Sequence, residues 1–339
     1  MKLRIISLLL ALAFVLGACT PAGTPVPLDT ATVAPSMTPR PATETPAASA
    51  TPEASPTPEA ISVSDGLGGT LVLAAPPKAI VSLAPSTTEI LFAIGAGAQI
   101  AAREDFTNYP AEAAALPSVG GMSGPISVEQ IVALKPDLVM VAPITAPELV
   151  KSIQDLDIPV MVLPNPQSLS DMYVLLELAA QVTGHEAEAK ALVEQLQARE
   201  QKALAVAAKA QSKPIVFYEL DGTDPAKPWT SGPGTFIDLL ISLAGGQNLG
   251  AKLEGEWAQF SQEELLVDDP EYILLGDSNF GMTAEQVAAR PGWSELSAVK
   301  ENKVLPINDD LISRPGPRMI DGLETLIKLL HPELAAELE

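Results

Sequence analysis

The sequence is poor in the residues that build metal centres and disulfides. It contains one cysteine and two histidines in 339 residues. A bare zinc or manganese receptor needs a cluster of His, Cys or carboxylate ligands, and His185 and His331 stand in separate segments. A single cysteine leaves no intramolecular disulfide to form, which suits an exported protein. We therefore expect no bound metal ion and no resident cofactor.

Basic residues are scarce as well. Lysine and arginine together number 20, against 42 aspartates and glutamates, and the formal net charge is −22. This balance argues against binding nucleic acid or an anionic lipid surface through a basic face. Beyond the N-terminus, no apolar stretch reaches membrane-spanning length. The composition therefore favours a soluble body without a nucleic-acid partner.

The N-terminus carries a targeting pattern. Lys2 and Arg4 precede a short apolar run that ends in "LGAC", with Cys19 as its last residue. The run is too short to span a bilayer comfortably, and its ending resembles the lipobox of bacterial lipoproteins. We interpret residues 1–18 as a signal peptide and Cys19 as a lipidated residue that anchors the protein outside the cytoplasm. The alternative is a cleaved secretory signal with an incidental cysteine.

Residues 19–60 are dominated by proline, threonine and alanine. Such a segment cannot bury enough apolar surface to offset its ordering entropy, so we predict an extended, disordered tether. A glycosylated, mucin-like stalk is the other interpretation.

The remaining residues alternate between strand and helix patterns. We predict an N-terminal α/β lobe over 61–166, connecting helices over 167–211 and a C-terminal α/β lobe over 212–339. Alternation of this kind indicates mostly parallel sheets flanked by helices. In "IVSLAPSTTEILFAIGAG" a buried strand leads into a helix, and Ser86 followed by Glu89 predicts a capping box at its start.

One pattern occurs twice. The stretch "SVEQIVALKPDLVM" begins at Ser127, and "SQEELLVDDPEYIL" begins at Ser261. In each copy the serine is a predicted N-cap, the proline ends the helix, and an aliphatic strand follows. Glu129 and Glu263 hold the same position in the two copies. Acidic residues favour the first turn of any helix, so the repeat by itself leaves their role open.

Several stretches resemble a known family. "IVSLAPSTTEILFAIGAG", "WTSGPGTFIDLLISLAGGQNLG" and "RPGPRMIDGLETL" occur in the order found in periplasmic cobalamin-binding proteins. These proteins belong to the substrate-binding proteins of iron-siderophore, haem and cobalamin ABC importers. The resemblance covers Ile61 to about Pro332. It implies two α/β lobes joined by a single long helix, a ligand cleft between the lobes, and a monomer that delivers its ligand to a permease and its ATPase.

The resemblance also implies roles for individual residues. A glutamate on each lobe of family members meets arginines of the permease, and Glu129 and Glu263 match those positions. Family ligand contacts lie on loops that face the cleft. Here those loops carry Pro85, Phe106, Tyr109, Met122, Tyr218, Trp229 and Arg314. Aromatic and methionine side chains suit the flat, largely apolar corrin of cobalamin.

The resemblance specifies the ligand less closely than it specifies the fold. Some cobalamin binders have a tryptophan just before a Gly-Met pair, whereas this chain has Gly120 and Gly121 in "SVGGMSG". A related corrinoid or another bulky chelate therefore stays open. Anionic siderophores would need arginines such as Arg103, Arg314 and Arg318, whereas a neutral or cationic hydroxamate complex would not. Haem would need an axial ligand such as Tyr109 or Tyr218.

An enzyme and a scaffold protein are the alternatives from other functional classes. A serine hydrolase would need a nucleophile on a strained glycine elbow, and "APSTTE" around Ser86 lacks one. We therefore expect the protein not to be an enzyme. A lipoprotein that scaffolds a partner without transport is the remaining class, and ligand binding separates the two.

Overall fold

The computed structural model describes residues 60–122 and 124–339. The predicted signal peptide, the predicted lipidation of Cys19 and nearly all of the predicted tether lie outside these residues. The described chain contains two four-stranded parallel sheets and two two-stranded antiparallel ribbons. Helices cover the sheets.

The N-terminal lobe is built on one parallel sheet. Its strands are β1 (Ile61–Ser64), β2 (Thr70–Leu73), β3 (Ile80–Ser82), β4 (Ile100–Arg103), β5 (Leu138–Val141) and β6 (Val160–Val162). Its helices are α1 (Pro85–Ala93), α2 (Ala111–Ala114), α3 (Val128–Ala133) and α4 (Pro147–Gln154). The sheet order is β4-β3-β5-β6 with every pair parallel, and β1 and β2 form an antiparallel ribbon.

The connection between the sheets is helical. It consists of α5 (Leu169–Thr183) and α6 (Glu186–Ala207), which pack against each other. Gly184 ends α5 in the left-handed conformation, at φ 78°, which glycine adopts without strain. Helix α6 has 22 residues, about 33 Å of helix. It packs on the last long helix of the chain, whereas α5 packs on α1 and β1.

The C-terminal lobe repeats the architecture. Its strands are β7 (Ile215–Glu219), β8 (Trp229–Ser231), β9 (Gln247–Asn248), β10 (Trp257–Gln259), β11 (Tyr272–Leu275) and β12 (Val304–Pro306). Its helices are α7 (Phe236–Leu243), α8 (Gln262–Asp268), α9 (Ala284–Ala288), α10 (Ser297–Lys300) and α11 (Met319–Leu330). The sheet order is β12-β11-β7-β9, all parallel, and β8 pairs antiparallel with β10. The predicted fold class is confirmed.

Alternate residues of a strand pack into two different hydrophobic cores. In β5, Leu138 and Met140 point into one hydrophobic cluster, and Val139 and Val141 point into another on the opposite face of the sheet. The first of these clusters continues through α5 and α6 to the C-terminal sheet and α11. The two lobes are therefore joined by a shared apolar core as well as by a helical connection, which favours small movements over a wide hinge.

The two copies of the repeated pattern adopt the same structure. Ser127 accepts a hydrogen bond from the backbone N–H of Gln130 at 3.2 Å, and Ser261 accepts one from Glu264 at 3.1 Å. These bonds are the N-caps predicted for α3 and α8.

The ends of the two copies also agree. Lys135 and Asp269, each just before a proline, have left-handed φ values of 49° and 45°. The acidic residue after each proline then holds the neighbouring strand. Asp137 accepts hydrogen bonds from two backbone N–H groups just before β3, at 2.7 and 3.0 Å. Glu271 accepts one from the backbone N–H of Ile215, the first residue of β7, at 3.1 Å.

The start of α1 differs from the prediction. Its N-cap is Ala84, no side chain caps it, and Pro85 is its first residue. The predicted capping box of Ser86 and Glu89 is wrong, because the carboxylate of Glu89 binds side chains of the other lobe.

Candidate functional site

Loops at the carboxyl ends of both sheets carry exposed apolar side chains. Open α/β sheets bind ligands at this edge. In the N-terminal lobe, Phe106 and Tyr109 follow β4 and Ile144 follows β5. In the C-terminal lobe, Trp229 follows β7 and Phe280 follows β11. All five side chains are exposed, so a bulky apolar ligand would find contact surface on both lobes.

Hydrogen bonds between the lobes show that the two edges face each other. Asn108, on the loop after β4, donates from Nδ2 to Oδ2 of Asp310 at 2.9 Å. Its Oδ1 accepts a bond from Nη1 of Arg314 at 2.7 Å. Asp310 and Arg314 lie on the segment after β12. We call the region where these loops meet the candidate cleft.

Glu89 of α1 is bound by two arginines of the opposite lobe. Arg314 donates from Nη1 to Oε1 at 2.9 Å, and Arg318 donates from Nε to Oε2 at 2.7 Å. Arg314 also pairs with Asp310 at 2.7 Å. The Glu89 side chain is only 2% exposed and each arginine side chain 11%. We call Glu89, Asp310, Arg314 and Arg318 the interlobe ion cluster.

Arg318 also packs on Tyr109. Its guanidinium carbon lies 4.1 Å from the centre of the tyrosine ring, a cation–π contact. Burial acts to lower the pKa of Arg318, but the hydrogen bond and charge of Glu89 outweigh burial, so the pKa is raised. Arg318 is therefore permanently charged. The sequence indicated it only as a candidate ligand for anions.

The prediction that Tyr218 lines the cleft is corrected. Tyr218 is fully buried in the core, and its hydroxyl donates to the carboxylate of Asp309. Ser313 donates to the same carboxylate at 2.5 Å. Burial raises the pKa of both Tyr218 and Asp309. Tyr218 thus fixes the segment that leads to Arg314, and its hydroxyl is not available to a ligand.

The other predicted contacts lie at the expected edge. Pro85 is half-buried at the start of α1, and Met122 is exposed, with its backbone N–H 3.3 Å from Oδ2 of Asp105. Arg314 is at the edge but is engaged by the interlobe ion cluster. Contact of these residues with a ligand stays a prediction.

A second tryptophan accompanies Trp229. In the β8–β10 ribbon, Trp257 is opposite Ser231 and Gln259 is opposite Trp229. Opposed residues share a face and diagonal ones lie about 7–8 Å apart, so both tryptophans occupy one face of the ribbon. They are 41% and 38% exposed, and Trp257 lies 5.9 Å from the ring of Phe236.

Three further exposed residues, Trp257, Ile144 and Phe280, were not among the predicted contacts. Each is a large apolar residue in a turn-rich stretch, "GEWAQF", "APITAP" or "GDSNFG". A large apolar residue in a turn-rich stretch is a signal that could have identified all three.

A buried ion pair fixes the loop that leads to Trp229. Arg290 donates from Nη2 to Oε1 of Glu219 at 2.8 Å, and to the carbonyl oxygen of Gly222 at 3.3 Å. Asp277 accepts the N–H of Gly222 at 2.9 Å. Burial raises the pKa of Glu219, although Arg290 opposes the shift. Both backbone groups of Gly222 are thus held, which limits the freedom of the loop.

Glu129 and Glu263 lie in the first turns of α3 and α8 and are exposed. The N–H of Ser127, before α3, donates to the carbonyl oxygen of Val119, whose own N–H donates to that of Arg103 at the end of β4. The N–H of Gln262, the first residue of α8, donates to the carbonyl oxygen of Ala226 on the loop after β7. The N-termini of both helices therefore lie at the carboxyl edges of the sheets. Both glutamates are consequently on the cleft side of their lobes.

Comparison with known proteins gives the family. Residues 80–311 match the family described as periplasmic binding protein. The chain belongs to this family. It is 32% identical over 283 residues to an uncharacterised ABC transporter substrate-binding lipoprotein of Bacillus subtilis, covering 82% of this chain and 87% of that protein. It is 29% identical over 254 residues to a vitamin B12-binding protein of Pectobacterium atrosepticum, covering 73% and 86%.

A solved relative has the same fold. The periplasmic haem-binding protein of Roseiflexus sp. RS-1, in its apo form, superposes with a TM-score of 0.67 at 26% identity, covering 77% of this chain and 99% of that one. The chain is thus a substrate-binding protein of an ABC importer, and the members of its family are transport proteins. Within residues 60–122 and 124–339, no helix combines the length and apolarity that crossing a membrane requires. The same residues contain no group of three or more His, Cys, Asp or Glu that could hold a metal ion.

Proposed function

We propose that the protein captures vitamin B12 or a related corrinoid in the cleft and delivers it to an ABC importer. The observation that carries this proposal is the pair of exposed tryptophans on the β8–β10 ribbon. These two tryptophans are exposed on one lobe and Phe106 and Tyr109 on the other, so together they would offer aromatic surface on both sides of the cleft. A corrin ring is flat, largely apolar and fringed with amides, which suits such surfaces.

Delivery requires a docking surface and a location outside the cytoplasm. Glu129 and Glu263, one on each lobe, would pair with arginines of the permease. Two carboxylates set apart on one side define an orientation as well as an attraction. Lipid on Cys19 would keep the protein at the membrane face, and the permease with its ATPase would complete the importer. The binding protein would act as a monomer.

Haem is the second candidate ligand. Tyr109 is exposed at the cleft, and a phenolate oxygen can serve as an axial ligand of haem iron. The similar protein of Roseiflexus is a haem binder by its description. The contact of Arg318 with the Tyr109 ring would have to accommodate the iron. A ferric hydroxamate is a third candidate, since it needs no axial ligand from the protein.

Native mass spectrometry of the purified protein tests the proposal. The ligands to be tested are cyanocobalamin, dicyanocobinamide, haem and the ferric complex of desferrioxamine B. The affinity for each ligand is then measured by titration, from the change in tryptophan fluorescence. We expect a one-to-one complex with a corrinoid. Trp257→Ala should weaken this complex, whereas Val72→Ala, which removes an exposed apolar side chain from β2, is the matched control. Binding of haem or the hydroxamate without any corrinoid binding would refute the corrinoid assignment.

A further inference from the structure

The arginines at the cleft are all engaged by groups of the protein. Arg314 and Arg318 bind Glu89 and Asp310 within the interlobe ion cluster. Arg103, at the end of β4, donates to the carbonyl oxygens of Glu104 at 2.8 Å and Ala114 at 3.1 Å. It also lies 3.7 Å from the carboxylate of Asp105. None of these guanidinium groups is left as an open anion site in the described residues.

The interlobe ion cluster has no net charge, because two carboxylates balance two guanidinium groups. An anionic ligand that took Arg314 or Arg318 would have to displace Glu89. The Glu89 carboxylate is nearly fully buried, so displacement would leave a charge out of water without its partners. The cluster therefore resists an exchange of its own carboxylates for those of a ligand.

Other charges near the cleft are mostly acidic. On the loop between β7 and β8, exposed Lys227 is accompanied by Asp221 and Asp224. Glu104, after β4, is buried and accepts hydrogen bonds from Thr107 and the backbone of Phe106. The whole chain carries a formal net charge of −22. A ligand with excess negative charge would meet repulsion at every stage of approach.

We propose that the cleft selects ligands without net negative charge and rejects carboxylate-bearing analogues of the same shape. This inference rests on the proposed function, since it assigns a chemical class to the ligand of the same cleft. Neutral amide-fringed corrinoids and neutral or cationic chelates fit the class. Anionic siderophores and ligands whose carboxylates need arginine do not.

Two matched ligand pairs test the class. The first is cyanocobalamin and its monocarboxylic acid, in which one side-chain amide is hydrolysed to a carboxylate. The second is the ferric complex of desferrioxamine B in two forms. The form with a free amine is cationic, and the form whose amine is succinylated is anionic. Affinities are measured by titration calorimetry at low and moderate salt. For whichever pair binds, we expect the anionic member to bind about tenfold more weakly or worse.

Charge variants test whether the interlobe ion cluster causes the selection against anionic ligands. Glu89→Gln keeps the shape of the side chain and leaves the interlobe ion cluster with a net positive charge, so the affinity ratio of anionic to uncharged ligand should rise about tenfold. Asp310→Asn, at a more exposed position, makes the same change and carries the test if Glu89→Gln does not fold. Glu194→Gln changes the total charge equally on the exposed side of α6 and should leave the ratio unchanged.

The outcomes separate the two proposals. Equal affinity for both members of a pair, or an unchanged ratio in both cluster variants, overturns the charge selection and leaves the proposed function standing. If no uncharged corrinoid binds the wild type, the corrinoid assignment fails, and the hydroxamate pair alone then decides the charge selection. If the cationic hydroxamate does not bind either, the ligand class fails as well.

Discussion

The buried ion pair of Glu219 and Arg290 is the contact whose loss should be easiest to measure. Glu219 is fully buried at the end of β7, and Arg290 donates to both of its carboxylate oxygens. The guanidinium also lies 4.5 Å from the ring centre of Trp293. Arg290→Met keeps much of the apolar stem but removes the donors. We expect the free energy of unfolding to fall by about 3–5 kcal/mol at pH 8, because a buried carboxylate is left without its partner.

The loss of stability caused by Arg290→Met should be smaller at acidic pH. Burial holds the pKa of Glu219 above its ordinary 4.5, and Arg290 opposes that shift, so removing Arg290 raises the pKa further. For a carboxyl group whose folded-state pKa is raised, the stabilisation is fully present below the unfolded pKa and is lost as pH rises through the folded pKa. Between those two values the stability contribution falls by about 1.4 kcal/mol per pH unit. The deficit of Arg290→Met should therefore be larger at pH 8 than at pH 5.

Urea denaturation at both pH values measures these quantities. The set comprises the wild type, Arg290→Met, and the double variant with Glu219→Gln, which removes the stranded charge. We expect the double variant to be more stable than Arg290→Met at pH 8. The reasoning is refuted if Arg290→Met costs less than about 1 kcal/mol at pH 8, or if its deficit is the same at both pH values.

Three further predictions concern ligand contact, docking and the Trp229 loop. Trp229→Ala and Trp257→Ala should each weaken ligand binding by about 1–3 kcal/mol while thermal unfolding changes little; unchanged calorimetric affinity removes that residue from the site. Glu129→Ala and Glu263→Ala should reduce uptake in cells and leave affinity for the ligand intact; loss of affinity in a folded variant would contradict a docking role. Gly222→Ala should lower the thermal unfolding temperature, because the added Cβ would fall against Arg290 and Glu219, and an unchanged temperature would contradict the tight packing of this loop.

Local patterns in the sequence predicted the repeated helix–turn–strand unit well. Ser127 and Ser261 are N-caps, and the aliphatic residues after each proline form β5 and β11. These features depend on neighbours a few residues away, so spacing and residue type are sufficient. The parallel sheets followed from the same alternation of strands and helices.

Contacts between distant segments could not be predicted in this way. Glu89 satisfied the spacing of a capping box, yet its partners Arg314 and Arg318 come 225 and 229 residues later. Tyr218 had the residue type of a ligand contact, but the alternation of β7 turns it into the core, where it meets Asp309. In both cases the deciding partner is supplied by tertiary structure, which the sequence around the residue does not contain.

The candidate ligand loops and the proposed docking glutamates lie on the same edge of each lobe. The N-termini of α3 and α8 are hydrogen-bonded to the segments that follow β4 and β7, and these segments leave their strands at the carboxyl edge of the sheet. A ligand that presses against Trp229 on one lobe and Tyr109 on the other would therefore set the spacing of the edges that carry Glu129 and Glu263. The shared apolar core allows only small changes in this spacing. A permease whose arginines contact both carboxylates would then bind the loaded and the empty binding protein differently, without a wide closing motion.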